Sequence, residues 1–177
     1  MYKKIKPNKH KEILIINDYI ILDGSFIIHK DYCEFENKIF DKLVKKETQA
    51  QIIQNEILPL NNPPLQWDKM LKDNYYNDNV PIKAINLWSE KYKIKSRYFI
   101  VETVKNKIII ATMQELYYNY LPDLYLCYSQ DKQLFIIRDM QKDFNQIIGV
   151  IAPTKNRNDY ITNLITELND YRQKEAV

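Results

Sequence analysis

The sequence predicts an α+β fold of antiparallel hairpins with packed helices, ending in a C-terminal amphipathic helix. Three observations predict it: apolar runs of strand length, turn-forming residues between those runs, and other stretches in which apolar residues recur at helical spacing. The chain has 177 residues, of which 45% are hydrophobic and 28% charged. A chain of this size and composition can bury a core of its own, so we expect residues 1–177 to form a single domain.

The chain begins with predicted strands and then a helix. Residues 13–29 are apolar runs interrupted by two turn signals, of which Asp23-Gly24 is the stronger hairpin signal. Asp31 can cap a helix near residues 32–46, where apolar residues recur at helical spacing.

The next stretch contains a second predicted helix and a long loop. The isoleucines of Thr48–Leu58 share a helical face, and the proline that follows would end such a helix. Residues 59–81 are rich in asparagine and proline and hold one short helix candidate, near residues 66–71. This loop-rich segment also permits an organisation in two halves, 1–58 and 82–177.

The rest of the chain alternates predicted helices with predicted strand pairs, and its last strand is followed by a helix capped by Asn158 or Asp159. The elements, in order, are a helix over Ile82–Tyr92, strands over Arg97–Thr103 and Lys107–Met113, a helix over Gln114–Leu121, a hairpin of Leu124–Ser129 with Gln133–Asp139, and a strand over Gln146–Ile151.

Composition excludes several classes of protein. No apolar run reaches the length of about 20 residues that a membrane span needs, and the N-terminal residues show no signal-peptide pattern. Cys33 and Cys127 lie outside any metal-binding spacing, so we expect reduced thiols in a cytoplasmic protein. His10 and His29 are interpreted as an exposed terminal residue and a strand-end residue, and we expect no metal or cofactor. The chain has only two glycines, which argues against glycine-rich phosphate loops.

A basic, aromatic segment, residues 83–107, is the first candidate site. Phosphates attract cations spaced along a track, and unpaired bases stack on aromatic rings, so this combination is typical of nucleic-acid binding. An alternative interpretation is that the lysines only solvate one face of a sheet. The candidate nucleic-acid-binding residues are Lys83, Lys91, Lys93, Lys95, Arg97, Lys105, Lys107, Trp88, Tyr92 and Tyr98.

Two other functions are kept as alternatives. Tyrosine is favoured at protein interfaces, and Tyr75, Tyr76, Tyr117 and Tyr118 are candidates for a protein-interaction surface, such as that of an inhibitor of a host or defence enzyme. The third interpretation is a metal-dependent nuclease that uses Asp18 and Asp23. No carboxylate, cysteine or histidine has the spacing of a catalytic motif, so no catalytic residue is assigned.

One stretch resembles a known family. Gln133-Leu-Phe-Ile-Ile-Arg-Asp139 and Gln146-Ile-Ile-Gly-Val-Ile-Ala-Pro153, with Lys155, resemble the last strand pair of bacterial and phage DNA sliding clamps. Ala152 stands where clamps usually have methionine, and a long helix follows where clamps end. The resemblance implies a clamp-like domain with helices facing DNA and sheets facing outward.

Taken together, these observations favour a non-enzymatic accessory protein that contacts nucleic acid or a nucleic-acid-handling complex, for example in DNA replication. Abundant lysine, asparagine, isoleucine and tyrosine indicate an AT-rich genome, which fits a phage or other mobile element. The partner can be nucleic acid or protein, no membrane is expected, and the oligomeric state is left open, with a homo-oligomer among the alternatives.

Overall fold

The structure is a computed structural model that describes residues 10–35, 38–45, 49–64, 66–77, 80–85, 96–102, 108–114, 124–139, 146–154 and 159–175. Its strands, in chain order, are β1 (Glu12–Ile16), β2 (Tyr19–Leu22), β3 (Phe26–His29), β4 (Ala50–Ile53), β5 (Glu56–Pro59), β6 (Val80–Pro81), β7 (Lys83–Ile85), β8 (Ser96–Glu102), β9 (Ile108–Gln114), β10 (Leu124–Ser129), β11 (Leu134–Asp139) and β12 (Ile147–Ile151). The helices are α1 (Lys38–Lys45) and α2 (Asp159–Glu175), with 3-10 turns at Lys30–Tyr32, Lys69–Leu71 and Asp73–Tyr75.

Most of these strands belong to one open antiparallel sheet. Its order is β5-β4-β1-β2-β3-β12-β11-β10-β6, in which the ninth strand, β6, has only two residues. A second sheet has the order β7-β8-β9. Strands from the first 59 residues and strands from residues 124–151 therefore share one sheet, which is joined where β3 pairs with β12.

The inner strands β1, β2, β3, β11 and β12 of the large sheet are buried on both faces, as their nearly continuous apolar sequences indicate. On the first face, Ile13 and Ile15 of β1 belong to a core cluster with Phe26 and Phe135. On the second face, Leu14 and Ile16 belong to a separate cluster. All six side chains are at most 6% exposed, so alternate residues of one strand contribute to two cores.

The second face is covered by a segment that we call the strap, residues 60–64 and 66–77. Its Trp67, Met70 and Leu71 pack against apolar side chains of β1, β2 and β3, and Tyr76 joins a cluster with side chains of β10, β11 and β12. The strap lies in the segment that the sequence predicts to be loop-rich, and the 3-10 turn at Lys69–Leu71 falls within the short helix predicted there.

The first face is covered by α1 and by the small sheet. Phe40 of α1 and Ala111 and Met113 of β9 are buried in the same cluster as the first-face residues of the large sheet. α2 lies in contact with β9. The small sheet is thus anchored to the core through β9.

Two predicted helices are wrong where the structure describes them. Residues 50–59 form the hairpin β4–β5, whose turn residues Gln54 and Asn55 both have positive φ. The sequence prediction missed this turn, and pairing of β4 with β1 outweighs the helical spacing of the isoleucines. Residues 83–85 are strand β7 because they pair with β8.

Other predicted elements are confirmed. Three strands fill residues 12–29, the hairpin at 124–139 is present, and the C-terminal helix begins at Asp159. Within the region 32–46, the described helix is α1, whereas residues 32–35 are not α-helical. Of the helix predicted over Gln114–Leu121, Gln114 belongs to β9 and the other residues lie outside the described residues. At the coarse level the fold is mixed, consisting mostly of antiparallel sheet with two described helices.

β12 is bent by a β-bulge next to a glycine. Ile137 pairs with Gly149 but Arg138 pairs with Ile147, so Ile148 is the extra residue of the bulge. A Cβ atom on Gly149 would lie 2.7 Å from the Ile27 carbonyl oxygen and 2.8 Å from the Ile28 Cδ1 atom. Only glycine lets β3 and β12 approach this closely.

We expect Gly149→Ala to lower the free energy of unfolding by about 1–3 kcal/mol, because a backbone oxygen cannot rotate away from the new methyl group. Gly24→Ala is the matched control: Gly24 has a φ of +63° but open space around the Cβ position, so its cost is about 1 kcal/mol. Urea unfolding of both variants measures the difference. Equal effects would contradict the close-approach explanation.

Candidate functional site

The structure describes only part of the predicted nucleic-acid-binding segment. Lys83 lies in β7, and Arg97 and Tyr98 lie in β8. The other candidates, Lys91, Lys93, Lys95, Lys105, Lys107, Trp88 and Tyr92, lie outside the described residues, as do Tyr117 and Tyr118 from the alternative set.

Strand register divides the three described candidates between the two faces of the small sheet. Arg97 pairs with Met113, which is fully buried in the core, whereas Tyr98 pairs with Thr112 and with Ile85. Because directly opposed residues share a face, Arg97 belongs to the face that carries Met113. Tyr98 and Lys83 belong to the opposite face.

The topology of the small sheet separates the basic residues of the segment into two groups. The chain joining β7 to β8 carries Lys91, Lys93 and Lys95, and the chain joining β8 to β9 carries Lys105 and Lys107. These connections leave β8 at its two ends, and a seven-residue strand is roughly 20 Å long. Lys83 pairs with Ile100, toward the second of these ends.

The tyrosines proposed for protein interaction are held differently. Tyr76 is 7% exposed, and its hydroxyl donates a hydrogen bond to the Met70 carbonyl oxygen at 2.6 Å. Its burial raises the pKa of the hydroxyl, which stays protonated at neutral pH. Tyr75 is half-buried, packs edge-on against Tyr76, and has the Lys132 Nζ atom 4.9 Å from its ring centroid. Tyr76 therefore stabilises the strap, and Tyr75 is the more accessible of the pair.

An ion pair and a side-chain hydrogen bond hold the strap to the large sheet at two places. The Arg138 guanidinium, nearly buried on β11, forms an ion pair with Asp73. At the β10–β11 turn, the Asn77 amide group donates to an Asp131 carboxylate oxygen at 3.0 Å, and Ser129 donates to the other oxygen. Charge-assisted contacts of this kind, one of them made by the buried Arg138, fix the position of a segment that has little regular secondary structure.

An aromatic cluster that the sequence analysis does not predict lies where β2 begins and β3 ends. Tyr19 packs edge-on against His29 at 5.2 Å between ring centroids and contacts Trp67 of the strap at 5.9 Å. The His29 ring is also edge-on to Tyr32, whose hydroxyl donates to the buried Asp139 carboxylate. Only the register of β2 and β3, which pairs Tyr19 with His29, brings these residues together.

The two aspartates of the metal-nuclease interpretation lie at opposite ends of β2. Asp18 forms an ion pair with Lys30 at 2.6 Å, and this contact holds the pKa of Asp18 below its usual value. Asp23 accepts hydrogen bonds from the amides of Lys11 and Glu12. Within the described part of the chain, no three histidine, cysteine or acidic side chains are grouped to hold a metal ion.

His10 is buried, so the prediction that it is an exposed terminal residue is wrong. Its side chain is 1% exposed, and Nδ1 donates to the Asp23 carboxylate at 2.8 Å. Asp23 thus ties the residues before β1 to the β2–β3 turn. Partial burial works to raise the pKa of the Asp23 carboxyl, but the amides of Glu12 and Lys11 together with His10 outweigh it, so the pKa is lowered.

This lowered pKa predicts a pH-dependent contribution to stability. A carboxyl with a depressed pKa stabilises the fold above its unfolded value, about 3.9, and the contribution is lost as the pH falls through the folded value. We expect Asp23→Asn to lower the free energy of unfolding by about 1 kcal/mol at pH 7, allowing for solvent screening, and by progressively less below about pH 4.

Asp68→Asn is the control for this experiment, because Asp68 is an exposed carboxylate whose side chain makes no capping hydrogen bond. Urea unfolding at a series of pH values measures both variants. A stability difference for Asp23→Asn that stays constant down to pH 3 would contradict the assignment.

No family model, no curated protein and no solved structure matches this chain. Among the described residues, no helix combines the length and the apolar character needed to cross a bilayer. The sheet architecture and the contacts of individual side chains are therefore the basis on which a function is proposed.

Proposed function

We propose that this protein works by binding, and that residues 83–107 contact nucleic acid or a complex that handles it. The observation that carries the proposal is the concentration of charge in this segment. It holds seven basic and two acidic residues, a net charge of +5, whereas the whole chain is only +3. All other residues together are therefore net −2, although residues 1–11 hold five lysines and no acidic residue, so a polyanion would be attracted to residues 83–107 and to this first stretch.

The position of the segment on the small sheet supports this proposal. β9 anchors that sheet to the core through Ala111 and Met113, so the connections at the two ends of β8 extend from a fixed support. The two ends of β8 lie roughly 20 Å apart, which matches about six nucleotide steps of B-form DNA at a rise of 3.4 Å per nucleotide. By register, Lys83 and Tyr98 share one face of the small sheet, and Arg97 belongs to the face that carries Met113.

The contacts of the acidic residues also support binding in preference to catalysis. Four aspartates each accept a hydrogen bond or form an ion pair that joins one element of the fold to another. These are Asp23, Asp73, Asp131 and Asp139. The alternative, a protein-interaction module, draws its support from Tyr75, since Tyr76 is buried. The clamp-like arrangement stays a prediction, because a β10–β12 meander alone is common to many folds.

Fluorescence anisotropy with labelled single- and double-stranded DNA and RNA tests the proposal at several salt concentrations. The triple variant Lys91→Gln, Lys93→Gln, Lys95→Gln removes three positive charges from the segment. We expect it to weaken binding at least tenfold and to lower the salt slope by about 2–3. The matched control, Lys69→Gln, Lys72→Gln, Lys174→Gln, removes three exposed lysines elsewhere and should leave the slope unchanged.

Two results would contradict the proposal. One is no binding to any of the nucleic-acid probes at low salt, and the other is an equal loss of nucleic-acid affinity in both triple variants. Binding of a protein partner that survives the first triple variant and is lost in Tyr75→Ala would select the protein-interaction alternative.

A further inference from the structure

Among the strands that the structure describes, β5 is an outer strand of the large sheet, and it carries two exposed apolar side chains. Ile57 is 42% exposed and Leu58 is 40% exposed, in contrast to the buried strand β1 two positions away. Outer strands with apolar side chains are sites where another strand can pair. β5 contains one charged residue, Glu56, and no lysine or arginine.

The hydrogen-bonding direction of each β5 residue follows from the turn. Gln54 and Asn55 both have positive φ, which defines a two-residue hairpin closed by a hydrogen-bonded pair, Ile53 and Glu56. The Gln54 backbone N–H donates to the backbone carbonyl oxygen of Lys11, the residue before β1, at 3.4 Å. This bond on the other side of β4 fixes the same alternation of hydrogen-bonding directions. The amide and carbonyl of Ile57 therefore point away from β4, toward the open edge.

Ile57 is also the last member of an apolar row that crosses the large sheet. The row follows directly paired residues from strand to strand, and all its other members are at most 6% exposed. In order across the sheet these are Tyr128, Phe135, Ile151, Phe26, Leu22, Ile13, Ile52 and Ile57. One further strand would bury the exposed end of this row.

We propose that β5 pairs antiparallel with β5 of a second copy of this chain, about a two-fold axis at Ile57. The Ile57 residues of the two copies then exchange both backbone hydrogen bonds, and the apolar row continues through the axis. In this register Leu58 lies opposite Glu56 of the second copy, and Pro59 lies opposite Asn55 of the second copy.

The two-fold register favours a second copy over an unrelated peptide, because each chain then supplies the apolar Ile57 side chain that covers the exposed Ile57 of the other. Pro59 has no N–H, so any partner strand loses one hydrogen bond at that position. In the two-fold register the missing hydrogen bond of Pro59 lies opposite Asn55, a turn residue of the second copy. The two Ile57 residues form both of their backbone hydrogen bonds. Because β5 has four residues, the interface is well below the area of a stable dimer, and we expect a dissociation constant on the order of 100 μM.

Sedimentation velocity over a range of concentrations tests the dimer with two matched variants. Ile57→Lys places two like charges directly opposite each other at the axis, and we expect it to weaken association at least tenfold. Leu58→Lys introduces the same charge at a site of equal exposure but opposite Glu56 of the second copy. It should associate as well as the unmodified chain or more tightly.

Cross-linking tests the register independently of any loss of folding in the lysine variants. The Cα atoms of a hydrogen-bonded antiparallel pair lie about 5.5 Å apart, which a disulfide can span. With diamide as the oxidant, which takes up two electrons and two protons per disulfide formed, Ile57→Cys should give a covalent dimer. Leu58→Cys should not, and native Cys33 and Cys127 are buried.

The proposal is overturned if the unmodified chain is monomeric at every concentration tested, including well above 100 μM. It is also overturned if both lysine variants weaken association equally, or if the two cysteine variants cross-link equally, since either result indicates a different contact between copies.

Discussion

The pairing of β3 with β12 is the contact on which the rest of the structure depends. It joins strands formed by the first 59 residues to strands formed by residues 124–151, and without it the large sheet would be two separate sheets. Gly149 allows the approach, and the bulge at Ile148 adjusts the register beside it. Because the contact is between distant parts of the chain, its formation requires closure of a long loop, which only the burial of large apolar surfaces can offset.

Burial on both faces then determines where the polar residues lie. The strap covers the second face with little regular structure, so ion pairs and side-chain hydrogen bonds such as Arg138 with Asp73 position it in place of a backbone ladder. Asp18 and Asp23, the aspartates of the metal-nuclease interpretation, make similar contacts, with Lys30 and with the backbone amides of Lys11 and Glu12. The two surfaces proposed for partners, residues 83–107 and strand β5, involve different sheets.

Much of the strand pattern can be predicted from the sequence, because strands such as β10 and β11 combine apolar residues with a clear turn. The β4–β5 hairpin was missed because its turn, Gln54-Asn55, lacks glycine and its isoleucines also fit a helix. Burial of His10 and the contact of Tyr19 with His29 depend on strand register, which the sequence alone does not reveal. The charge of residues 83–107 is visible in sequence, but its division between the two ends of β8 follows only from the topology.

Native-state hydrogen exchange of individual amides, followed by NMR as denaturant is raised toward the unfolding transition, tests most directly whether one sheet unites the chain. The account predicts that the slowest amides of β1–β3 and of β10–β12 exchange with the same free energy of opening, equal to that of global unfolding. It also predicts that Gly149→Ala lowers the free energy for both groups together. Two distinct free energies, with β1–β3 still protected after β10–β12 have exchanged, would contradict the central claim.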